Sequence, residues 1–162
     1  MTERYYAACC QTDFPCPSDR EEIGERTRRM CAIAEQTIVG YEPFHDVRLL
    51  VFPEFAHAAP IYDSVEMLTA RLAVEIPNEH TEAYQALAAK YGCLVQTGSF
   101  IETDPDWPGV LFNTTCLVGA DGVLCVTGDG RAPGVRPGVT QVFDLDGTRL
   151  AALAAGRGLA VG

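Results

Sequence analysis

Residues 47–55 read Val47-Arg-Leu-Leu-Val-Phe-Pro-Glu-Phe, a short and nearly continuous apolar run, then a proline, then at once an acid. An apolar run of this length without alternation predicts a strand buried on both faces, as in parallel sheets flanked by helices. Pro53, which has no N–H to give to a ladder, ends it. Upstream, residues 4–11 (Arg-Tyr-Tyr-Ala-Ala-Cys-Cys-Gln) read as a buried first strand that ends at Asp13-Phe-Pro. Between the two, Ser18 stands three residues before Glu21, a capping box for a helix running to about Val39 with Gly40 as its stop. Its apolar positions Ile23, Met30, Ile33, Ala34 and Ile38 recur at helical spacing. Strand, helix and strand in this order make a βαβ unit, and the fold class is α/β.

Working downstream, Asp63 and Glu66 begin a helix containing Val65, Leu68 and Leu72. A second runs from Asn78 through Tyr84, Leu87 and Ala88 to Tyr91 and stops at Gly92. Cys93-Leu-Val-Gln-Thr-Gly-Ser-Phe-Ile-Glu is a strand, followed by the loop Asp104-Pro-Asp-Trp-Pro-Gly. A strand from Val110 to Val118 is turned by Asp121-Gly122 into residues 123–126, a hairpin signal. Residues 128–138 are a loop rich in glycine and proline. Gln141-Val-Phe-Asp-Leu is then a strand, turned by Asp146-Gly147 into a partner over residues 148–155.

Composition narrows the function classes. The 162 residues are about one domain's worth, and 48% apolar with 21% charged describes an ordinary globular chain. Twenty-two acidic side chains face twelve basic ones, a net charge of −10, and Lys90 is the sole lysine. A nucleic-acid surface needs clustered Lys and Arg to replace counterions on phosphate, so nucleic acid and anionic membrane are poor partners. No apolar run approaches the ~20 residues of a membrane helix. The start carries an acid, Glu3, and no long apolar region, so no secretory signal is expected and a cytoplasmic location is. Seven cysteines (9, 10, 16, 31, 93, 116 and 125) form no C-x-x-C pair, and the histidines at 45, 57 and 80 are scattered. Structural zinc is thus not indicated, and buried reduced thiols are.

Chemistry points to Glu54. In an open α/β sheet, ligands bind outside the carboxyl ends of the strands. A carboxylate there, flanked by Phe52 and Phe55, would be partly stripped of water and could act as a general base. A solvent-exposed loop glutamate is the alternative that the strand-Pro-Glu pattern alone leaves open.

The order of several motifs adds context. A first strand ending Gln11-Thr, the Leu49-Leu-Val-Phe-Pro-Glu-Phe strand, the helix Ile76-Pro-Asn-Glu-His running to Leu87-Ala-Ala-Lys-Tyr-Gly, the strand Val95-Gln-Thr-Gly-Ser-Phe, and Phe112-Asn-Thr-Thr-Cys-Leu-Val-Gly-Ala-Asp-Gly together resemble the nitrilase (carbon–nitrogen hydrolase) superfamily. The resemblance spans residues 5 to about 124 and is nearest to the amidase and carbamoylase-like branches. It implies a four-layer α-β-β-α sandwich, usually paired into a dimer, of which this chain would be the N-terminal part. The whole of 1–162 would be a single incomplete domain and 125–162 a divergent tail. It implies a cofactor-free and metal-free reaction: a Glu takes the proton of a Cys thiol, the thiolate attacks an amide, N-carbamoyl or nitrile carbon, and a Lys stabilises the charge that develops. By motif, the base is Glu54.

The other two catalytic groups have no match. Where the family has Tyr-Arg-Lys, residues 124–130 read Leu-Cys-Val-Thr-Gly-Asp-Gly, and Lys90 falls on a helix that matches no catalytic position. The approach to the family's nucleophile resembles residues 142–157, which puts Ala154 or Ala155 where cysteine would be. Cys93, Cys116 and Cys125 read as core packing. The expectation is a carbon–nitrogen hydrolase relative with little or no activity as written, a homo-oligomer if complete. Its rivals are a non-catalytic remnant acting through protein contacts and, third, a thiol or metal-binding protein that would carry zinc or iron.

Overall fold

The computed structural model describes residues 5–130, 139–143 and 149–154, with side chains described as far as Val126. The strands β1 (Tyr6–Cys9), β2 (Val47–Val51), β3 (Leu94–Thr103), β4 (Leu111–Val118), β5 (Leu124–Gly130), β6 (Val139–Phe143) and β7 (Arg149–Ala154) lie side by side in sequence order in one sheet. β1, β2 and β3 run parallel and the rest form an antiparallel meander. The parallel pairs need crossovers, supplied by α1 (Glu21–Tyr41) after β1 and by α2 (Val65–Arg71) with α3 (Glu79–Tyr91) after β2. The βαβ reading of the sequence is therefore the observed topology. β5 reaches further than the hairpin signal suggested, whereas residues 131–138 and the Asp146-Gly147 turn lie outside the described residues.

Helix ends show where local signals held. Asn78 caps α3 by accepting from the N–H groups of His80 (2.9 Å) and Thr81 (3.1 Å), and Gly92 closes it in the left-handed conformation at φ 63°. Ser18 does not cap α1. The helix starts at Glu21 with Arg20 at its N-cap and no side-chain cap, and Ser18 gives its N–H to Glu22 at 2.8 Å. Residues 18–20 are instead held by α2 and its approach: Tyr62 donates to the Ser18 carbonyl, Arg71 pairs with Asp19, and Arg20 donates to the Thr69 carbonyl. Gly40 does not stop the helix but sits in its last turn.

Ile23, Met30 and Ala34 of α1 and Tyr84, Leu87 and Ala88 of α3 pack on Leu50, Phe52, Val95, Cys116, Val118 and Leu124 of the sheet. Each large side chain buried this way stabilises by ~1.5–3 kcal/mol. Only one face of the sheet is covered by helices among the described residues. That corrects two expectations: Tyr6, Ala7 and Cys9 of β1 are exposed, and in β2 only Leu50 is fully buried, because Leu49 and Val51 point to the uncovered face. Leu94 and Leu117 share that face and are exposed too. No helix among the described residues is long and apolar enough to cross a membrane.

One carboxyl group is sealed under this layer. Glu102 on β3 is buried and accepts a hydrogen bond from the Thr114 hydroxyl, and loss of water pushes its pKa up to about 7, with Asp104 adding to the rise. A folded-state value raised above the unfolded 4.5 means that stability is fully present below pH 4.5, falls as pH rises, and levels off beyond about 7. Glu102→Gln keeps the shape without the charge. It is expected to match the wild type at pH 4 and to exceed it at pH 8 by on the order of 2–3 kcal/mol, read from urea denaturation at each pH.

Candidate active site

After β2 the chain makes an elbow at residues 53–58, and the neighbouring strand dictates its shape. β3 carries an irregularity between Gln96 and Ser99, as a glycine inside a strand pattern commonly signals. At that bulge Gly98 adopts φ 76°, and a Cβ there would lie 2.3 Å from the Pro53 carbonyl oxygen and 2.6 Å from the Ala56 Cβ. Only glycine lets the two backbones come this close.

Four side chains then fix the elbow. The Phe55 N–H donates to Ser99 Oγ at 2.8 Å, holding Phe55 at φ 56° in the left-handed region that a bulky residue seldom occupies. His57 is fully buried, stacked on Phe100 at 3.6 Å between ring centroids, with Nδ1 3.2 Å from the Ser99 carbonyl and Nε2 3.0 Å from the Tyr84 hydroxyl. A carbonyl can only accept, so the imidazole proton is on Nδ1, and Nε2 accepts from Tyr84. Burial pushes the His57 pKa down to about 3, which leaves it a neutral bracket rather than an acid–base group. From α1, Arg26 donates to the Ala56 carbonyl and, at 2.6 Å, to that of Pro15.

The elbow presents Glu54. Its Oε1 accepts from Asn113 Nδ2 of β4 at 2.8 Å. The expected desolvation is not what holds this carboxylate: Glu54 is exposed, because Phe52 turns inward to the core and Phe55 is only half-buried. Two hollows meet at it. One of about 300 Å³ is walled by Phe55, Val65, Leu68, Ile101, Leu111 and Phe112, and the other, of about 230 Å³, by Gln96, Gly98, Ser99 and Thr115, with Glu54 and Asn113 lining both.

No cysteine or lysine among the described residues lines either hollow. Lys90 is on the far end of α3, 2.7 Å from Glu35. Burial raises the thiols of Cys10, Cys31, Cys93, Cys116 and Cys125, the opposite of activation, with Cys116 fully enclosed. No group of three or more His, Cys, Asp and Glu suited to a metal ion occurs among the described residues. The backbone of Ala154 closes β7, and Ala155 lies outside the described residues. Gln96, Ser99 and Asn113 fall inside the motifs at 95–100 and 112–122, but nothing in those motifs marks them as parts of a site. Gly98 inside a strand pattern was the available sign that β3 bends there to receive another backbone.

The chain belongs to the carbon–nitrogen hydrolase family, whose sequence profile matches residues 6–132. Among solved structures, a carbon–nitrogen hydrolase from Helicobacter pylori G27 is similar at TM-score 0.58 and 18% identity, over 77% of this chain and 39% of that one. An N-terminal amidase solved with an Asn-Glu-Ala peptide is similar at TM-score 0.55 and 11% identity, over 84% of this chain and 38% of that one. The fold is accordingly of the nitrilase type, and the chain spans about two fifths of the length of these structures. No curated protein matches it.

If Gly98 sets the elbow, Gly98→Ala must move backbone rather than a flexible side chain. The variant is expected to lose on the order of 2–4 kcal/mol in denaturation, from strain and overpacking together. Alanine at Gly109, where a Cβ meets nothing within 4 Å but φ is likewise positive (79°), carries the strain alone and is expected to lose less.

Proposed function

We propose that the hollow around Glu54 is the substrate site of a carbon–nitrogen hydrolase, with Glu54 as general base toward a small amide, N-carbamoyl compound or nitrile. We propose further that these 162 residues have little or no hydrolase activity of their own. The observation that carries both parts is the Glu54 carboxylate, fixed on Asn113 at the junction of two hollows in which the described residues place neither thiol nor ammonium. A base needs a proton to take. Without a thiol beside it, Glu54 generates no nucleophile stronger than water, and without a cation no charge forming on the substrate is offset. Family membership supports the reaction class. All seven cysteines are free, which suits a reducing, cytoplasmic setting.

The test is ammonia release by the purified chain from acetamide, an N-carbamoyl amino acid and a simple nitrile. No release above the buffer rate is expected, with Glu54→Gln indistinguishable from wild type. Thiol-dependent release that Glu54→Gln abolishes would contradict the proposed inactivity.

A second reading, association through protein contacts, is favoured by the exposed Leu94 and Leu117 on the uncovered sheet face. It predicts self-association in size-exclusion chromatography that Leu94→Ser with Leu117→Ser weakens. A compact monomer with sharp unfolding would count against it.

A further inference from the structure

The sheet ends at β1, and the outer edge of that strand is open. Among the described residues β2 is the sole strand beside it. The Tyr6 N–H donates to the Asp46 carbonyl at 3.0 Å and the Cys10 N–H to that of Val51 at 2.8 Å. The register irregularity near Tyr6 skips Arg48, a residue of β2, so the alternation along β1 itself is unbroken. Backbone groups alternate in direction along a strand, and those of Ala7 and Cys9 therefore point outward, away from β2. Both residues are exposed. A row of alternating donors and acceptors is matched by one kind of partner, another extended backbone.

Charge and shape say whose backbone fits. Proteins usually blunt such an edge with lysine, proline, an inward charge or a covering element. Here residues 5–10 read Tyr-Tyr-Ala-Ala-Cys-Cys, with neither charge nor proline, in a chain that is 21% charged and carries a net −10. The surplus of acids repels a second copy at large, whereas two such strands laid side by side oppose no like charges. A basic foreign segment would find no carboxylate on the strand to pair with. Alanine at 7 and 8 keeps the centre of the edge free of bulk. Apolar surface flanks its start: Tyr5, Tyr6, Val39, Tyr41 and Phe44 are all exposed, and the His45 ring lies 4.1 Å from that of Tyr6 and 6.0 Å from that of Tyr41. An antiparallel copy brings the end of its own β1 to this surface, and the relation is reciprocal.

We infer that β1 is the pairing edge of a closed homodimer, in which the β1 strands of two copies run antiparallel about a twofold axis at Ala8 and join the two sheets into one. Ala7 of each copy then opposes Cys9 of the other, and the two residues exchange both N–H···O bonds. This does not depend on the Glu54 reading, and it uses other residues than an association through Leu94 and Leu117 on the sheet face. A twofold strand pair closes on itself. Pairing of β1 with β7, the strand at the other end of the sheet, would leave an edge free at each end and grow without limit.

The experiment combines sedimentation velocity with amide hydrogen exchange on the ¹⁵N-labelled chain over a range of concentrations. The chain is expected to pass from monomer to dimer at on the order of 100 µM, the strength of a small strand-edge interface. Over that range the exchange of the Ala7 and Cys9 amides is expected to slow about tenfold or more, while those of Tyr6 and Cys10, already bonded within the chain, hold their rates. Ala7→Pro removes an outward N–H and none that serves β2, and should raise the dissociation constant about tenfold or more. Leu94→Ser with Leu117→Ser should leave the dimer intact. If Ala7→Pro does not fold, the exchange rates of the wild type decide alone. A dimer in which Ala7 and Cys9 exchange freely, or one that folded Ala7→Pro leaves unchanged, would place the interface elsewhere and overturn the inference. A chain still monomeric at about 1 mM would overturn it too. Growth beyond the dimer would do the same, as the mark of β1 meeting β7.

Discussion

The site depends on two backbones packed so closely that no side chain fits between them. Gly98 in the bulge of β3 faces the Pro53 carbonyl across a gap too small for a methyl group, and the elbow carrying Glu54 is pressed into that gap. Ser99, the next residue, then receives the Phe55 N–H on its hydroxyl and the His57 proton on its carbonyl. A two-residue irregularity in one strand therefore decides the direction of a carboxylate on another. Helix α1 adds Arg26 and α3 adds Tyr84, so the elbow is tied to both covering helices as well as to the sheet. Strain at Phe55 persists because these ties over-determine its conformation.

The buried and exposed groups divide the work by charge. His57, sealed and neutral, supports without titrating near neutral pH, and the Cys116 thiol is sealed in the core. Glu54 stays in contact with water and, among the described residues, has one side-chain partner, Asn113. This arrangement suits a group that must exchange a proton with a bound molecule rather than hold the fold together. The same division leaves Cys10, Cys93 and Cys116 as packing material, and the thiols whose titration is displaced are pushed toward the neutral form by burial.

The sequence made the βαβ start and the caps of α3 legible, because those features are local. The apolar spacing of Ile23, Met30 and Ala34, Asn78 before the α3 helix and Gly92 after it each carry their reason within a few residues. The place of Glu54 after an apolar strand was legible for the same reason. Its surroundings were not. Asn113 reaches Glu54 across fifty-nine positions of chain, Arg26 reaches Ala56 across thirty, and no pattern in either segment announces the other. The start of α1 misled because Ser18 is engaged by Tyr62, forty-four residues away. The burial of β1 and β2 was overstated because an apolar run does not say how many of its faces are covered.

The central claim is that Glu54 is held as an acceptor against Asn113 by the elbow behind it. The direct measurement is the side-chain ¹⁵N–¹H signal pair of Asn113 in the wild type and in Glu54→Gln. Two well-separated Nδ2 protons, one shifted downfield by the carboxylate and moved back by the substitution, is the result expected. Asn113 side-chain signals identical in the two proteins would mean that the carboxylate does not rest there, and the account of the site would fail.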